Sequence, residues 1–169
     1  MPKPLVHFAH GKDSVPWGTK ISRLAQIARE NGMDVESLDY SGIDSPQLRT
    51  EKLVHACRDI TQPLILVGSS MGGWVATAAS REIPAAGLFL LAPAFYFPGY
   101  PGVAPGCRKE HVEIVHGWRD DVILFEHSLR FSRKHGTILH LVEDDHRLFD
   151  SLERTEDYFS AFLRRIALP

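Results

Sequence analysis

Short apolar runs alternate with longer segments of helical periodicity along almost the whole chain. A short apolar run bounded by turn residues is typical of a buried strand, and apolar residues recurring every three or four positions are typical of a helix. The pattern predicts six strands, at residues 5–9, 34–38, 64–67, 86–91, 112–115 and 137–142. It predicts five helices, at residues 17–31, 47–59, 71–82, 121–134 and 147–166.

This alternation of strands and helices indicates right-handed β-α-β units, which build a parallel sheet covered by helices on both faces. The strand segments are mostly continuous in apolar residues, as strands buried on both faces are. The predicted fold is therefore α/β, a three-layer α/β/α sandwich with a six-stranded, mostly parallel sheet. The chain has 169 residues and no shift of composition along its length, so we expect one domain over residues 1–169.

One segment interrupts the alternation. Residues 92–109 are rich in proline and glycine, which at this density prevent a regular helix, so the segment is predicted to be a long loop. The loop also carries the aromatic residues Phe95 and Tyr96 and leaves a predicted strand beside the most informative motif of the chain. These two side chains are candidates to line a pocket, and the alternative is that they cover the sheet edge.

Composition and charge narrow the class of protein. With 19 Lys and Arg against 21 Asp and Glu, the net charge is -2, and we expect no nucleic-acid partner. No window approaches the roughly 18 apolar residues of a membrane span, so no membrane association is expected. The N-terminal segment has no signal-peptide pattern. Cys57 and Cys107 are too few for a disulfide framework and are expected to be free thiols, so the sequence favours a cytoplasmic location.

The segment Leu-Ile-Leu-Val-Gly-Ser-Ser-Met-Gly-Gly, residues 64–73, carries the strongest functional signal. It contains the pattern G-x-S-x-G, formed by Gly68, Ser70 and Gly72, between a predicted strand and a predicted helix. This order of strand, tight turn and helix is typical of a nucleophile elbow. The alternative interpretation is a structural turn between a buried strand and a helix.

Other polar residues follow the remaining predicted strands. The carboxyl ends of parallel strands meet at one edge of the sheet, where α/β proteins bind their ligands. The first strand is followed by residues 10–13, the fifth by residues 116–121 and the sixth by residues 143–146. A nucleophile, an acid and a base are thereby expected together, in the chain order Ser, Asp, His, which is the order of α/β-hydrolases.

Four stretches in this order resemble the compact, cap-less serine hydrolases of the α/β-hydrolase superfamily. The resemblance is to small esterases of the dienelactone-hydrolase-like and retinoblastoma-binding-protein-9-like kind. The matching stretches are Phe8-Ala9-His10-Gly11, Gly68-Ser69-Ser70-Met71-Gly72-Gly73, His116-Gly117-Trp118-Arg119-Asp120-Asp121-Val122 and Asp144-Asp145-His146. The resemblance implies a minimal α/β-hydrolase fold without a cap domain.

The resemblance also implies roles for individual residues. Ser70 corresponds to the nucleophile and His146 to the base. Asp120 corresponds to the acid, because the acidic residue of the family follows a strand-ending His-Gly by three positions. Asp121 is the competing acid, although an aspartate there also suits the N-cap of the next helix.

Further residues are predicted to surround this centre. In the family, the oxyanion hole uses the backbone N–H after the nucleophile, here Met71, and one from the turn after the first strand, here Gly11 or Lys12. His10 and Trp118 are added to Phe95 and Tyr96 as possible pocket-lining residues. The close spacing of residues 143–146 does not suit a metal centre, so no metal is expected.

The predicted activity is that of a serine hydrolase that cleaves a small carboxylic ester or thioester through an acyl-enzyme formed on Ser70. Its partner is a small-molecule acyl substrate, and no cofactor is expected. Two alternatives stay open at this stage: a binding or scaffold protein on a hydrolase fold, and a peptidase or amidase that uses the same three residues. The sequence carries no signal for an oligomeric state.

Overall fold

The predicted strands pair into one sheet in the computed structural model, which describes residues 2–166. The strands are β1 Leu5–Ala9, β2 Asp34–Ser37, β3 Leu64–Ser69, β4 Ala85–Leu91, β5 Val112–Gly117 and β6 Ile138–Val142. Their order across the sheet is β2-β1-β3-β4-β5-β6, and every neighbouring pair is parallel. The sheet predicted as mostly parallel is therefore parallel throughout.

Helices cover both faces of this sheet. They are α1 Thr19–Glu30, α2 Pro46–Cys57, α3 Met71–Ala79, α4 Phe125–His135 and α5 Leu152–Arg165, with a 3-10 turn at Lys109–His111. Apolar residues of α1 and α5 share one core, and those of α2, α3 and α4 share the other. The three-layer sandwich is confirmed. No helix within residues 2–166 is long and apolar enough to cross a membrane.

Strand β3 shows why the strand sequences are continuous in apolar residues. Successive side chains of a strand point to opposite faces. Leu64 and Leu66 pack into the core under α2, α3 and α4, whereas Ile65 and Val67 pack into the core under α1 and α5. Both faces of the sheet are buried at β3, so both sets of positions in this strand are apolar.

Helices α4 and α5 begin four and five residues later than the predicted starts at 121 and 147, at Phe125 and Leu152. In each case an aspartate holds a tight turn ahead of the helix. Asp120 Oδ1 accepts the backbone N–H groups of the second and third residues after it, at 2.9 and 2.8 Å. Asp144 Oδ2 accepts the N–H and the hydroxyl of Ser151, each at 2.7 Å. These bonds divert the chain from helical geometry.

The proline-rich and glycine-rich segment forms a loop, as predicted. Residues 92–108 contain no helix or strand. The Trp74 indole N–H donates to the carbonyl of Pro101 at 2.9 Å, and the Ser80 hydroxyl accepts the N–H of Gly106 at 2.9 Å. The loop is thereby fastened along α3.

The chain changes direction across the sheet between β1 and β3. From β1 it runs outward to β2, and it then returns to β3 on the other side of β1 before continuing to β6. A reversal of strand order leaves a crevice at the carboxyl ends of the strands on either side of it. Ala9 pairs with Gly68 in the parallel register, so the ends of β1 and β3 lie side by side.

The first turn of α3 lies directly against the end of β1. A Cβ atom added to Gly72 would lie 1.9 Å from the carbonyl oxygen of Ala9, and one added to Gly68 would lie 2.1 Å from the carbonyl oxygen of Gly72. Non-bonded atoms cannot approach so closely, so only glycine fits at either position. This close approach is the physical requirement behind the outer glycines of the G-x-S-x-G pattern.

Replacing Gly72 by alanine is therefore expected to lower the free energy of unfolding by about 3 kcal/mol or to prevent folding, because the backbone on both sides would have to separate. Urea denaturation followed by tryptophan fluorescence measures the change. Gly102→Ala is the matched control, since an added Cβ at Gly102 meets nothing within 4 Å. Equal unfolding midpoints for the two variants would contradict the steric argument.

Candidate active site

Ser70 forms the turn between β3 and α3 in a strained backbone conformation. Its φ is 55° and its ψ is -117°, a region that residues other than glycine rarely occupy. Hydrogen bonds hold it there: the Ser70 N–H donates to the carbonyl of Leu91 at 2.9 Å, and the Ser70 carbonyl accepts from the N–H groups of Gly73 and Ala94, each at 3.0 Å. The strained turn is therefore held by the end of β4, by the loop after it and by the first turn of α3.

The three residues predicted to act together form one hydrogen-bonded chain. His146 Nδ1 lies 2.7 Å from Asp120 Oδ2, and His146 Nε2 lies 3.1 Å from Ser70 Oγ. A carboxylate only accepts hydrogen bonds, so Nδ1 carries the hydrogen and Nε2 accepts from the serine hydroxyl. The chain joins the loops that follow β3, β5 and β6.

Asp120 is buried, and both of its oxygens accept hydrogen bonds. Oδ2 accepts from His146 and also from His116 Nε2 at 3.0 Å, while Oδ1 accepts from the turn that precedes α4. Burial by itself raises the pKa of this carboxyl, but the hydrogen bonds from His116, His146 and the Ile123 N–H outweigh it and hold the pKa well below its usual range. Asp121, the competing acid, is exposed.

His116 supports Asp120 from the protein interior, a role that the sequence analysis does not assign to it. The ring is fully buried. Nε2 lies 3.0 Å from Asp120 Oδ2 and 2.8 Å from the carbonyl oxygen of Ile123, and both are acceptors, so Nε2 carries a hydrogen. Nδ1 bonds the hydroxyl of Ser128 at 2.7 Å. The one sequence feature that relates the two residues is their spacing, since His116 precedes Asp120 by four positions.

The loop that carries His146 is fixed by the buried residue Asp144. Its Oδ1 accepts the N–H of Asp145 at 2.7 Å, and its backbone carbonyl accepts the N–H of Arg119 at 2.9 Å. With the bonds to Ser151 described above, these contacts tie the loop to both β5 and α5. Within residues 2–166, no three His, Cys, Asp or Glu side chains are grouped as metal ligands.

A cavity of about 650 Å³ opens over the hydrogen-bonded chain, and Ser70 and His146 lie on its wall. One part of the wall is apolar or aromatic and another part is charged. The apolar or aromatic residues are Ile21, Met71, Ala94, Phe97, Tyr100, Val122, Ile123 and Phe149, and the charged ones are Lys12, Asp13, Lys20 and Arg147.

Four side chains predicted to line the pocket lie elsewhere, and two of them belong to the protein interior. His10 is fully buried, and its Nε2 accepts the N–H of Tyr40 at 3.0 Å. Phe95 is buried and stacks on Phe131 of α4, with ring centroids 3.8 Å apart. Each side chain is turned inward by a partner far away in the sequence, which a local pattern does not reveal.

The other two predicted pocket residues also lie away from the cavity, Tyr96 half-buried and Trp118 at the surface. Tyr96 has a φ of 54°, and the guanidinium carbon of Arg130 lies 4.0 Å from the centroid of its ring. Trp118 is exposed and packs edge-on against Phe125, with ring centroids 4.9 Å apart. The aromatic residues that line the cavity are instead Phe97, Tyr100 and Phe149.

The turn after β1 is organised by Arg49, a buried residue of α2 that sequence reasoning missed. Its guanidinium donates to the carbonyl groups of His10, Gly11 and Lys12 at 3.1, 3.2 and 3.1 Å, and to that of Ile43 at 2.7 Å. In a trans peptide unit the C=O and the N–H point in opposite directions. The N–H groups that follow these carbonyls, those of Gly11, Lys12 and Asp13, are therefore turned away from Arg49.

Backbone N–H groups beside Ser70 are available to a ligand. Met71 is the first residue of α3, and the N–H groups of Met71, Gly11 and Lys12 donate to no acceptor within residues 2–166. All three residues line the cavity. Gly11 is close to the hydroxyl-bearing residue, since a Cβ added to Gly11 would lie 3.6 Å from Cβ of Ser70. The site thus combines a hydroxyl, an imidazole, a carboxylate and unpaired N–H groups.

Comparison with solved structures shows the same architecture in other proteins. A protein from Xanthomonas campestris pv. campestris assigned to the hydrolases of the alpha/beta superfamily is 26% identical, with a TM-score of 0.88 over 95% of this chain and 98% of that one. A serine hydrolase without a lid from Xanthomonas campestris is 17% identical, with a TM-score of 0.82 over 98% and 84% of the two chains. Est1E from Butyrivibrio proteoclasticus is 19% identical, with a TM-score of 0.77 over 97% and 88%.

Comparison by sequence extends over nearly the whole chain. A search of curated protein sequences finds no match. The sequence profile of the Alpha/beta hydrolase family, however, matches residues 8–168. That range begins in β1 and includes the turn at Ser70 and the loops that carry Asp120 and His146. The chain belongs to the alpha/beta hydrolase family.

Proposed function

We propose that this protein is a serine hydrolase that cleaves small carboxylic esters or thioesters through an acyl-enzyme on Ser70. The observation that carries the proposal is the continuous hydrogen-bonded chain from the hydroxyl of Ser70 through the ring of His146 to the carboxylate of Asp120. A serine hydroxyl is a weak nucleophile unless a base stands within hydrogen-bonding distance of it. The 3.1 Å separation of Ser70 Oγ and His146 Nε2 meets that requirement.

In the first step, Ser70 Oγ attacks the carbonyl carbon of the substrate while His146 Nε2 takes the hydroxyl proton. The ring becomes cationic, and the carboxylate of Asp120 stabilises it through the bond to Nδ1. The depressed pKa of Asp120 suits this role, because the carboxyl stays ionised throughout. His146 then gives its proton to the departing alcohol or thiol, which leaves an acyl ester on Ser70.

The negative charge that develops on the carbonyl oxygen requires donors fixed in advance. The N–H of Met71 and an N–H from the Gly11–Lys12 turn would supply them, and each such donor contributes on the order of 10²–10³ in rate. The bonds from Arg49 to the carbonyl groups of this turn keep its N–H groups oriented when the cavity is empty. Arg49 is in this respect a positioning residue.

The second step returns the enzyme to its starting state. A water molecule gives a proton to His146 Nε2 and attacks the acyl carbon, and the same N–H groups stabilise the second tetrahedral intermediate. That intermediate collapses with return of the proton to Ser70 Oγ, which releases a carboxylic acid. Within residues 2–166 no inserted cap covers the cavity, so substrate and water reach Ser70 from its open side.

Ser70→Ala is expected to abolish hydrolysis of short-chain 4-nitrophenyl esters and labelling by a fluorophosphonate probe, with an unchanged unfolding midpoint. Ser69→Ala is the matched control and keeps most of its activity, because the hydroxyl that bonds His146 belongs to Ser70. Parallel assays with esters, thioesters and aminoacyl amides define the preferred bond. A wild-type protein that neither turns over any of them nor reacts with the probe would refute the proposal.

The two adjacent aspartates provide a second matched pair. Asp120→Asn is expected to lower kcat on the order of 10³–10⁴-fold, because an amide no longer fixes the tautomer of His146 or stabilises its cation. Asp121→Asn, at an exposed position, leaves kcat within about twofold. Initial rates on one ester measure both variants. A large loss in the Asp121 variant alone would move the acid to the neighbouring residue.

Arg49→Lys tests whether Arg49 orients the N–H groups of the Gly11–Lys12 turn. A lysine keeps the charge but cannot reach the carbonyls with the same fork of donors, so kcat is expected to fall tenfold or more with little change in KM. Arg58→Lys, an exposed position at the end of the same helix, is the control. A lower urea midpoint with an unchanged kcat would show that Arg49 acts only on stability.

A further inference from the structure

The charged part of the cavity wall is mainly cationic. Lys12, Lys20 and Arg147 line it, against one carboxylate, Asp13. The N-terminal residues of α1 line the same part of the wall, and the helix dipole adds positive potential there. A cavity lined by one sign of charge concentrates ligands of the opposite sign.

Lys20 stands out among these residues because it is half-buried and unpaired. Within residues 2–166 no carboxylate lies within 4.0 Å of its ammonium group, and the side chain makes no hydrogen bond. The carboxylates whose charges act on it most strongly are those of Asp144 and Asp120. Both already accept hydrogen bonds at each of their oxygens, so neither depends on Lys20 for a partner.

Keeping an ammonium group in this position opposes folding. Burial lowers the pKa of Lys20 from its ordinary value of 10.5 to about 8. The folded chain therefore binds this proton less tightly than the unfolded chain does. The resulting destabilisation is fully present below pH 8 and disappears as the pH rises from about 8 to 10.5. Lys20 thus weakens the fold under neutral conditions, which points to a role in binding.

We infer that Lys20, together with Lys12 and Arg147, forms a subsite for a carboxylate of the substrate. The inference rests on the proposed function of Ser70 and narrows its substrate class to esters or thioesters that carry a carboxylate away from the bond that is cleaved. The ammonium of Lys20 donates to that carboxylate inside a partly desolvated cavity, where hydrogen bonds between charged groups are strongest. The guanidinium of Arg147 lies over the ring of Phe149, 4.6 Å from its centroid, at the same wall.

Pairs of esters with one leaving group test the inference. The 4-nitrophenyl monoester of adipic acid carries an anionic acyl chain, and its methyl ester analogue is the neutral match. We expect kcat/KM to be about tenfold higher for the anionic ester, since one hydrogen bond to a charged group contributes about that factor. A second pair, 4-carboxyphenyl butanoate and its methyl ester, places the carboxylate on the alcohol side. A preference in either pair supports the subsite.

Lys20→Met is expected to abolish the preference, by lowering kcat/KM for the anionic ester to about that of its neutral match. Lys134→Met, which removes the same charge from an exposed position at the end of α4, keeps the preference. Because Lys20 opposes folding, its replacement raises the urea midpoint at pH 7. A lower midpoint would show that Lys20 serves as a structural counter-ion and would overturn the inference.

The pH dependence of the ratio of the two kcat/KM values gives an independent readout. Both esters of a pair use the same His146, so its protonation cancels from the ratio. The charges around Lys20 are those of Asp144, Asp120, Arg147 and Asp145. The preference is expected to decline as the pH rises through about 8, where the free ammonium loses its proton, and to shrink at high ionic strength.

The outcomes separate this inference from the proposed function. Turnover of neutral esters without any preference in either pair would overturn the subsite and leave the hydrolase intact. If no ester is cleaved and no probe labels Ser70, adipate binding measured by isothermal titration calorimetry tests the subsite without any need for turnover. Binding by the wild type and the Lys134 variant, with a loss of at least tenfold in Lys20→Met, supports it. Equal or absent binding in all three overturns it.

Discussion

The carboxylate of Asp120 is the contact on which the geometry of the site depends. It is buried at the end of β5, and it accepts hydrogen bonds from His116 in the same strand, from the turn ahead of α4, and from His146 in the loop after β6. A buried carboxylate is costly unless its oxygens are satisfied. The bonds that satisfy it also fix the ring of His146 opposite Ser70, so the stability of the loops and the alignment of the three side chains have one cause.

Strain at the other end of this chain is held by the sheet itself. Ser70 keeps its unfavourable φ because its N–H donates to Leu91 at the end of β4, and its carbonyl accepts from Ala94 in the following loop and from Gly73 in the first turn of α3. The glycines on either side allow β1, β3 and α3 to approach without intervening side chains. The hydroxyl therefore sits on rigid elements, whereas its histidine partner sits on a loop that Asp144 has to brace.

The sequence predicts the sheet and the centre of the site because both depend on local patterns. Strands buried on both faces are apolar at most positions, and the turn at Ser70 admits only glycine at Gly68 and Gly72. Helical periodicity predicts starts for α4 and α5 that are too early, because backbone hydrogen bonds accepted by Asp120 and Asp144 override it there. Propensity is a weak prior where such tertiary contacts compete with it.

Long-range contacts account for what local patterns do not predict. Arg49 lies in a helix with nothing in its neighbours to mark it, and its role follows only from meeting the turn after β1. The position of Phe95 in an aromatic loop makes it a candidate pocket residue, yet it stacks on Phe131 of α4 in the core. The sequence likewise does not predict that Lys20 lacks an ion-pair partner, because this depends on which groups bond the carboxylates of Asp120 and Asp144.

In the turn after β1, the main chain and the side chains have separate roles. The hydrogen bonds from Arg49 to this turn all go to main-chain carbonyl oxygens. The orientation of the adjoining amides therefore does not depend on which side chains the turn carries. The side chains of Lys12 and Asp13 project from that fixed backbone at the cavity wall. Substrate choice is thereby free to diverge by substitution at these positions while the proposed chemistry is preserved, which makes this short turn a natural place for redesign.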